Sequence, residues 1–428
     1  MHSAPSRTPR PGPTPSLRRP APALILAAAA GFLSACGGDG TEVASGEWAG
    51  SVSDSSGVAV VDNPAQGVWG AAPAWQVTEE LRIGGASAGS DAQFGLVVGV
   101  DVDADGNVYV ADQQAQHVQV FDAEGRFLHT IGGPGSGPGE IGQALAGVFV
   151  VGGEVWVADM ANLRLNRYAP DGEALGSTPI DPTNGIPMRW DRVGDRLVAQ
   201  LRFLGMGDAP AAGTDDAVVT MGTPTRDTVT VLSGGTSLQM EGGRPQIRIF
   251  GSEPIWDAAA DGRVLSGLNS GYRLEVRDAS GTLQRVITKP FETEEVTEAD
   301  VTRLRRTIRQ LMLDQGAPPQ AVDALIQGMS FADRFPAFAQ ILAGPSGTVW
   351  VQHIQSMESL TAGDAEFNPQ DLGSDNWDVF DGEGRYLGVM TLPDRFAPLL
   401  VDGDAFWGVQ RDQFDVNSVV RFRVAMSG

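Results

Sequence analysis

The chain has 428 residues with 53 acidic and 30 basic side chains, for a formal net charge of −23. A surface this acidic repels phosphate backbones and anionic headgroups, which argues against nucleic acid as a partner and against charge-driven membrane binding. Apolar content is ordinary at 42%, aromatic content is low at 7%, and a single cysteine excludes an internal disulfide framework.

Arg7, Arg10, Arg18 and Arg19 precede an apolar run at 21–30, followed by Leu33-Ser34-Ala35-Cys36 and Gly37-Gly38. This order reads as a secretory signal over 1–36, ending in what looks like a bacterial lipobox with Cys36 as the lipidation site. The apolar run is too short to span a bilayer. Loss of the signal removes four arginines and no acids, so the mature chain is more acidic still. By resemblance to lipoproteins, Gly37 after the cysteine implies a lipid anchor in the outer membrane, facing the periplasm or the cell surface. Residues 37–56 are rich in Gly, Ser, Asp and Glu and are expected to be a flexible tether. The folded domain is expected over 57–428. Residues 57–61 read as a short strand without an evident partner.

From 99 to 133 apolar residues alternate with polar ones between turn clusters. Val100 and Val102, Val108 and Val110, Val118 and Val120, and Phe127 to Ile131 mark four strands. Asp105-Gly106-Asn107 and Asp122-Ala123-Glu124-Gly125 supply turns. The unit recurs. Val-Trp-Val-Ala-Asp at 155–159 copies Val-Tyr-Val-Ala-Asp at 108–112, 47 residues on (159 − 112). Ile131-Gly132-Gly133 copies Ile83-Gly84-Gly85, 48 residues on (131 − 83). A period in the forties with four strands per unit is the pattern of a propeller blade. Worn copies follow near 196–232, 261–287, 348–390 and 405–424. The last lacks a fourth strand, and 80–84 looks like a fourth strand without its first three. The spacing therefore predicts an all-β, six-bladed β-propeller of four-stranded antiparallel blades, closed by an N-terminal strand joining the C-terminal blade.

Val-Tyr-Val-Ala-Asp (108–112), Val-Trp-Val-Ala-Asp-Met-Ala-Asn-Leu-Arg (155–164), Val-Phe-Asp-Ala-Glu-Gly-Arg-Phe-Leu (120–128) and Ile-Gly-Gly-Pro-Gly-Ser-Gly-Pro-Gly-Glu (131–140) resemble NHL-type six-bladed propellers. The likeness is strong over 83–175 and weaker beyond. The family's Asn before the third strand is present at Asn162, while Ala115 takes that place in the first blade. The resemblance implies binding of proteins or other ligands on one face. Some related rings are metal-assisted lyases or lactonases.

In such a blade the turn between strands two and three shares a face with the connection to the next blade. Long segments at 132–142, 203–226, 290–336 and 353–374 are assigned to those positions, so one face is expected to carry the insertions and the binding site. The 291–335 insertion reads as helical. Thr297 and Asp300 form a capping pair, and Val301, Leu304, Ile308 and Leu311 follow at helical spacing. Pro318-Pro319 opens a second helix bearing Val322, Leu325 and Ile326.

The candidate ligand-binding residues are His117, Arg164, His353, Arg303 and Arg306. Arg303 and Arg306 belong to the densest basic cluster, His353 enters a long loop, and His117 and Arg164 occupy equivalent blade positions. No zinc, phosphate-loop, dinucleotide or nucleophile-elbow motif is present, and neither a metal site nor a cofactor is expected. Asp101 and Asp103 lie on a first strand near the axis, but Val148-Phe149-Val150 and Leu399-Leu400-Val401 break any ring of acids there. The sequence thus reads as a lipid-anchored envelope propeller that binds a protein, peptide or glycan on its insertion-bearing face. The alternative is a metal-assisted hydrolase or lyase at the channel.

Overall fold

The computed structural model describes residues 46–70, 73–203, 215–223, 226–241, 244–314, 316–360 and 372–426. The signal stretch and Cys36 lie outside them. Six antiparallel sheets follow one another along the chain. Blade 1 comprises Val97–Val102, Val108–Asp112, His117–Phe121 and Phe127–Ile131. Blade 2 runs Leu145–Val151, Glu154–Asp159, Arg164–Tyr168 and Ala174–Pro179, and blade 3 Ile186–Val193, Arg196–Arg202, Asp216–Thr220 and Thr228–Leu232. Blade 4 holds Pro254–Ala258, Val264–Leu268, Arg273–Arg277 and Leu283–Thr288. Blade 5 holds Ile341–Ala343, Val349–Ile354, Gly373–Phe380 and Tyr386–Thr391.

Blade 6 takes Phe396–Asp402, Ala405–Arg411 and Asn417–Ala425 from the C-terminus and Gln76–Gly84 from the N-terminal side. Ile83 lies opposite Val419 and Val77 opposite Val424. The closure expected for 80–84 is therefore formed, and it extends back to Gln76. Pairing Gln76–Gly84 with the last strand removes the open sheet that an unclosed ring would leave.

Large apolar side chains on the second strands fill the gaps between blades. Tyr109 packs with Val148 and Val155 of blade 2, and Trp407 with Val108 and Phe121 of blade 1. Trp350 lies edge-on to Phe406 of blade 6, with ring centroids 4.9 Å apart. Trp156 packs with Trp190 and Leu201 of blade 3. Because each blade buries its flat faces only against its neighbours, these contacts tie the ring together.

The N-terminal segment is more ordered than its composition suggests. Residues 37–56 were expected to be a tether, yet Ser51–Ser55 forms a hairpin with Val58–Asp62. Val58–Asp62 then pairs in parallel with Leu283–Thr288, so blade 4 has six strands. The second partner of the 57–61 strand lies more than 200 residues away, beyond any local signal. Downstream, Asn63 bonds Thr288 and Gly384, and the Val68 and Trp69 amides donate to the Tyr386 and Leu387 carbonyls of blade 5. This strap crosses blades 4 and 5 before it becomes the outer strand of blade 6.

Two further differences concern insertions. The segment 203–226 was assigned as one insertion between strands two and three of blade 3, but Asp216–Thr220 is the third strand and Thr228–Leu232 the fourth. Val218 and Val219 are buried there, a run too short to stand out from its flanks. Between blades 3 and 4 a hairpin of Leu238–Glu241 and Arg244–Ile249 was not anticipated. Its second strand pairs in parallel with Ser330–Phe331 of the later insertion.

Candidate functional site

The turns between strands two and three and the connections between blades share one face, and the longer insertions stand on it. Its most built-up part lies over blades 4 and 5. Helix α1 (Glu298–Asp314) begins at the expected capping pair: the Thr297 amide and hydroxyl donate to Asp300 Oδ2 (3.0 and 2.7 Å), and the Asp300 amide donates back to Thr297 Oγ1 at 3.2 Å. Gly316, with φ of +83°, ends it by adopting the left-handed conformation that glycine tolerates. Helix α2 (Pro319–Gly328) follows. Leu304 and Ile308 of α1 pack with Ile249, Phe250, Phe335 and Leu360. The helices are thus joined to the preceding hairpin and to the loop of blade 5 in one satellite core.

The basic stripe of α1 divides in two. Arg305 Nη2 donates to the Met329 carbonyl at 3.4 Å and its guanidinium lies 5.4 Å from the Phe331 ring centre. Arg309 pairs with Asp323 at 2.8 Å. Arg303 and Arg306 are exposed, and among the described residues neither has an ion-pair partner.

Beneath this cap, between blades 4 and 5, Asp378 is a buried acceptor for four donors. The hydroxyls of Tyr272 and Tyr386 and the ammonium of Lys289 each reach it at 2.6 Å, and His353 Nε2 lies 3.0 Å from Oδ1. Lys289 also lies over the Tyr386 ring, 4.2 Å from its centre. Burial alone would raise the Asp378 carboxyl, but the His353 bond and the Lys289 charge outweigh it and hold it well below the usual carboxylate range. Burial first, then the Asp378 charge, raises Tyr272 and Tyr386. His353 is therefore anchored by one ring nitrogen, while the residue remains about one-third exposed.

The other expected residues lie elsewhere. Arg164 is bonded to the Gly-rich connection between blades 1 and 2, donating to the carbonyls of Ser136, Gly137 and Glu140. This engagement sets the loop and leaves little of the guanidinium for a ligand. His117 opens the third strand of blade 1 opposite Asp112. Asp112 accepts from the amides of Gly95, Leu96, Gln114 and Ala115, and Asp159 from Gly142 and Asn162, so both fix turns. His117 and Arg164 belong to blades 1 and 2, whereas His353, Arg303 and Arg306 sit at blades 4 and 5. The structure does not bring the five together.

The axis holds a cavity of about 640 Å³ lined by the first strands of all six blades. Turns between first and second strands also line it, including Gly194, Gly347 and Gly403, so it extends toward the face without the long insertions. A polar arc runs round it. Asp101 accepts from the Val150 amide at 2.7 Å, and Arg192 reaches both the Val150 carbonyl (2.7 Å) and Asp101 (3.3 Å). Arg189 donates to Asp257 at 2.6 Å and lies over the Trp256 ring, and Asp257 accepts from the Ala343 amide at 2.7 Å. Burial raises Asp101 to about 6. Burial and the adjoining Asp191 carboxylate raise Asp257 to about 8. On blade 6 the lining turns apolar, at Leu399 and Leu400.

Sequence reasoning placed Asp101 at the axis. Asp103 instead caps its own turn, accepting from the Asp105 and Asn107 amides. Arg189, Asp191, Arg192 and Asp257 were missed because their blades are the worn ones. The available signal was Arg-Trp-Asp-Arg at 189–192, a charged run inside a strand of the innermost layer. Among the described residues no three His, Cys, Asp or Glu side chains are grouped to hold a metal ion. Nor is any helix among them long and apolar enough to cross a membrane.

Residues 97–151, blade 1 and the first strand of blade 2, match the profile of the DUF5128 family, a 6-bladed beta-propeller. No curated protein matches the sequence significantly. Among solved structures, the chain is similar to a Bacteroides fragilis protein whose name marks it as inferred to be exported. The two share 11% identity over 85% of this chain and 99% of that one, with a TM-score of 0.50. It is also similar to a member of the duf4221 family from Bacteroides vulgatus, with 12% identity over 82% and 98% of the two chains and a TM-score of 0.48. Identities this low speak to the fold alone.

Proposed function

We propose that this protein is an exported propeller, lipid-anchored through Cys36, that binds a protein or peptide on its insertion-bearing face. The observation that carries the reading is the cap over blades 4 and 5. Two insertions far apart in sequence share a parallel strand pair there, and α1 is packed into a core of its own. Chain invested in folded structure on one face, while the opposite turns stay short, is a built surface rather than loop drift. Exposed Arg303 and Arg306 give this surface local positive charge on an acidic protein, and that charge suits an acidic partner segment. The export of the Bacteroides fragilis neighbour, as its name has it, agrees with the signal read in this sequence.

The test uses the mature chain immobilised beside two variants, Arg303→Glu with Arg306→Glu, and Arg263→Glu on the opposite face. An envelope partner retained by wild type and by Arg263→Glu, and lost from the double variant, is the expected result. A partner that ignores the cap charges, or that depends on Arg263, overturns the assignment of the face.

A further inference from the structure

We propose that the axial channel is a second, independent binding site, for a small zwitterion with an apolar flank: a free α-amino acid with an aliphatic side chain. The cavity, about 640 Å³, is of a size that holds small ligands. Its polar lining includes one pair of opposite charge. Arg189 and Asp191 stand two positions apart on one strand and so face the same side, with Arg189 Nη2 3.8 Å from Asp191 Oδ2. Arg189 uses Nη2 on Asp257, and among the described residues its Nε and Nη1 make no hydrogen bond. Both side chains keep solvent contact, 32% for Arg189 and 24% for Asp191. A guanidinium edge beside a carboxylate matches the carboxylate and ammonium that an α-amino acid carries on one carbon.

The other half of the argument lies across the axis. Blade 6 is three blades from blade 3 in a ring of six, and so stands opposite it. There Leu399 lines the same cavity with 41% of its surface exposed. An exposed leucine in the lining of the cavity that holds the charged pair is apolar surface that a ligand's aliphatic group would cover. A sugar would leave Leu399 against hydroxyls, and a simple anion would leave Asp191 against like charge.

The site is read by calorimetry on the mature chain with L-leucine, L-leucinamide, 4-methylpentanoate and glycine. Leucine is expected to bind. Leucinamide lacks the carboxylate and 4-methylpentanoate the ammonium, and each should bind tenfold to a hundredfold more weakly, the range for losing a hydrogen bond to a charged group. Glycine should be weakened as well. Asp191→Asn should weaken leucine by a similar factor, Leu399→Asn should remove the preference of leucine over glycine, and Arg303→Glu on the cap should change nothing. Absence of leucine binding overturns the proposal. So does equal binding of leucinamide or 4-methylpentanoate, or binding unchanged in Asp191→Asn. None of these outcomes bears on the partner surface at the cap, which has its own test.

Discussion

Replacing either member of the Lys289–Asp378 pair removes one salt bridge, yet the two losses should differ. Asp378 accepts from Tyr272, Tyr386, Lys289 and His353. In Asp378→Asn the amide offers one accepting oxygen and presents N–H groups to donors, and the Lys289 side chain, 10% exposed, loses its counter-charge. Stranding a buried charge costs about 3–5 kcal/mol. In Lys289→Met the carboxylate, 1% exposed, loses its counter-charge as well, but three donors still hydrogen-bond it and the methionine retains packing against the tyrosine rings. The loss is then nearer one charge-assisted hydrogen bond, about 1.5–3 kcal/mol. Equilibrium urea unfolding at neutral pH measures both variants. A Lys289→Met loss equal to or larger than that of Asp378→Asn would refute the reasoning. Acid gives a second reading. The Asp378 carboxyl is held down in the folded state, so the native chain binds fewer protons than the unfolded one near and below pH 4. Stability from this group is complete above the unfolded value and is lost as pH falls below it. Asp378→Asn should flatten that acid limb.

The axial acids act with the opposite sign. Asp257 is raised to about 8 and Asp101 to about 6, so above pH 4 the native chain holds protons that the unfolded chain has released. Stability should fall as pH rises from about 4 to 8, by at most about 1.4 kcal/mol per unit for each acid that stays protonated in the native chain. Asp257→Asn should reduce that slope in urea titrations at pH 6, 7 and 8, most of all between 7 and 8. Asn63 accepts from Trp48 and the Tyr386 amide and donates to Thr288 and Gly384. Asn63→Ala, which orphans the buried Tyr386 amide, should cost about 1–3 kcal/mol and increase hydrogen exchange over 51–62 before the ring itself opens. Cys36→Ser should move the exported chain from the detergent to the aqueous phase in a partition assay, and an unchanged distribution would count against the lipid anchor.

The parts of the ring that were legible from sequence are those in which local chemistry and blade position coincide. Val108, Val110, Val118 and Val120 stand at alternate positions of short, buried strands that turn clusters set off on both sides. Asp105-Gly106-Asn107 marks its turn because Gly106 takes a φ of +85°. The closing strand was legible because Ile83-Gly84 repeats the end of blade 1. The rest depended on partners remote in sequence. Val58–Asp62 has a strand pattern, but only coordinates show it beside Leu283–Thr288. The axial residues Arg189 and Asp257 come from blades whose repeat signature has eroded, and their pairing is a property of the closed ring. Arg164 looked available for a ligand because sequence cannot show three carbonyls converging on it.

The strap from Trp48 to Gly84 has a consequence for the order in which the molecule is made. Its partners, Leu283–Thr288, Tyr386, Leu387 and Asn417–Ala425, are all synthesised hundreds of residues later. Contacts of such separation form slowly, because the loop between them must be closed first. Its last part, Gln76–Gly84, therefore stays without its blade until Asn417–Ala425 arrives, and the ring locks only when that final strand has been made. For the export proposed above, that delay would keep the ring open while the chain is threaded through a membrane.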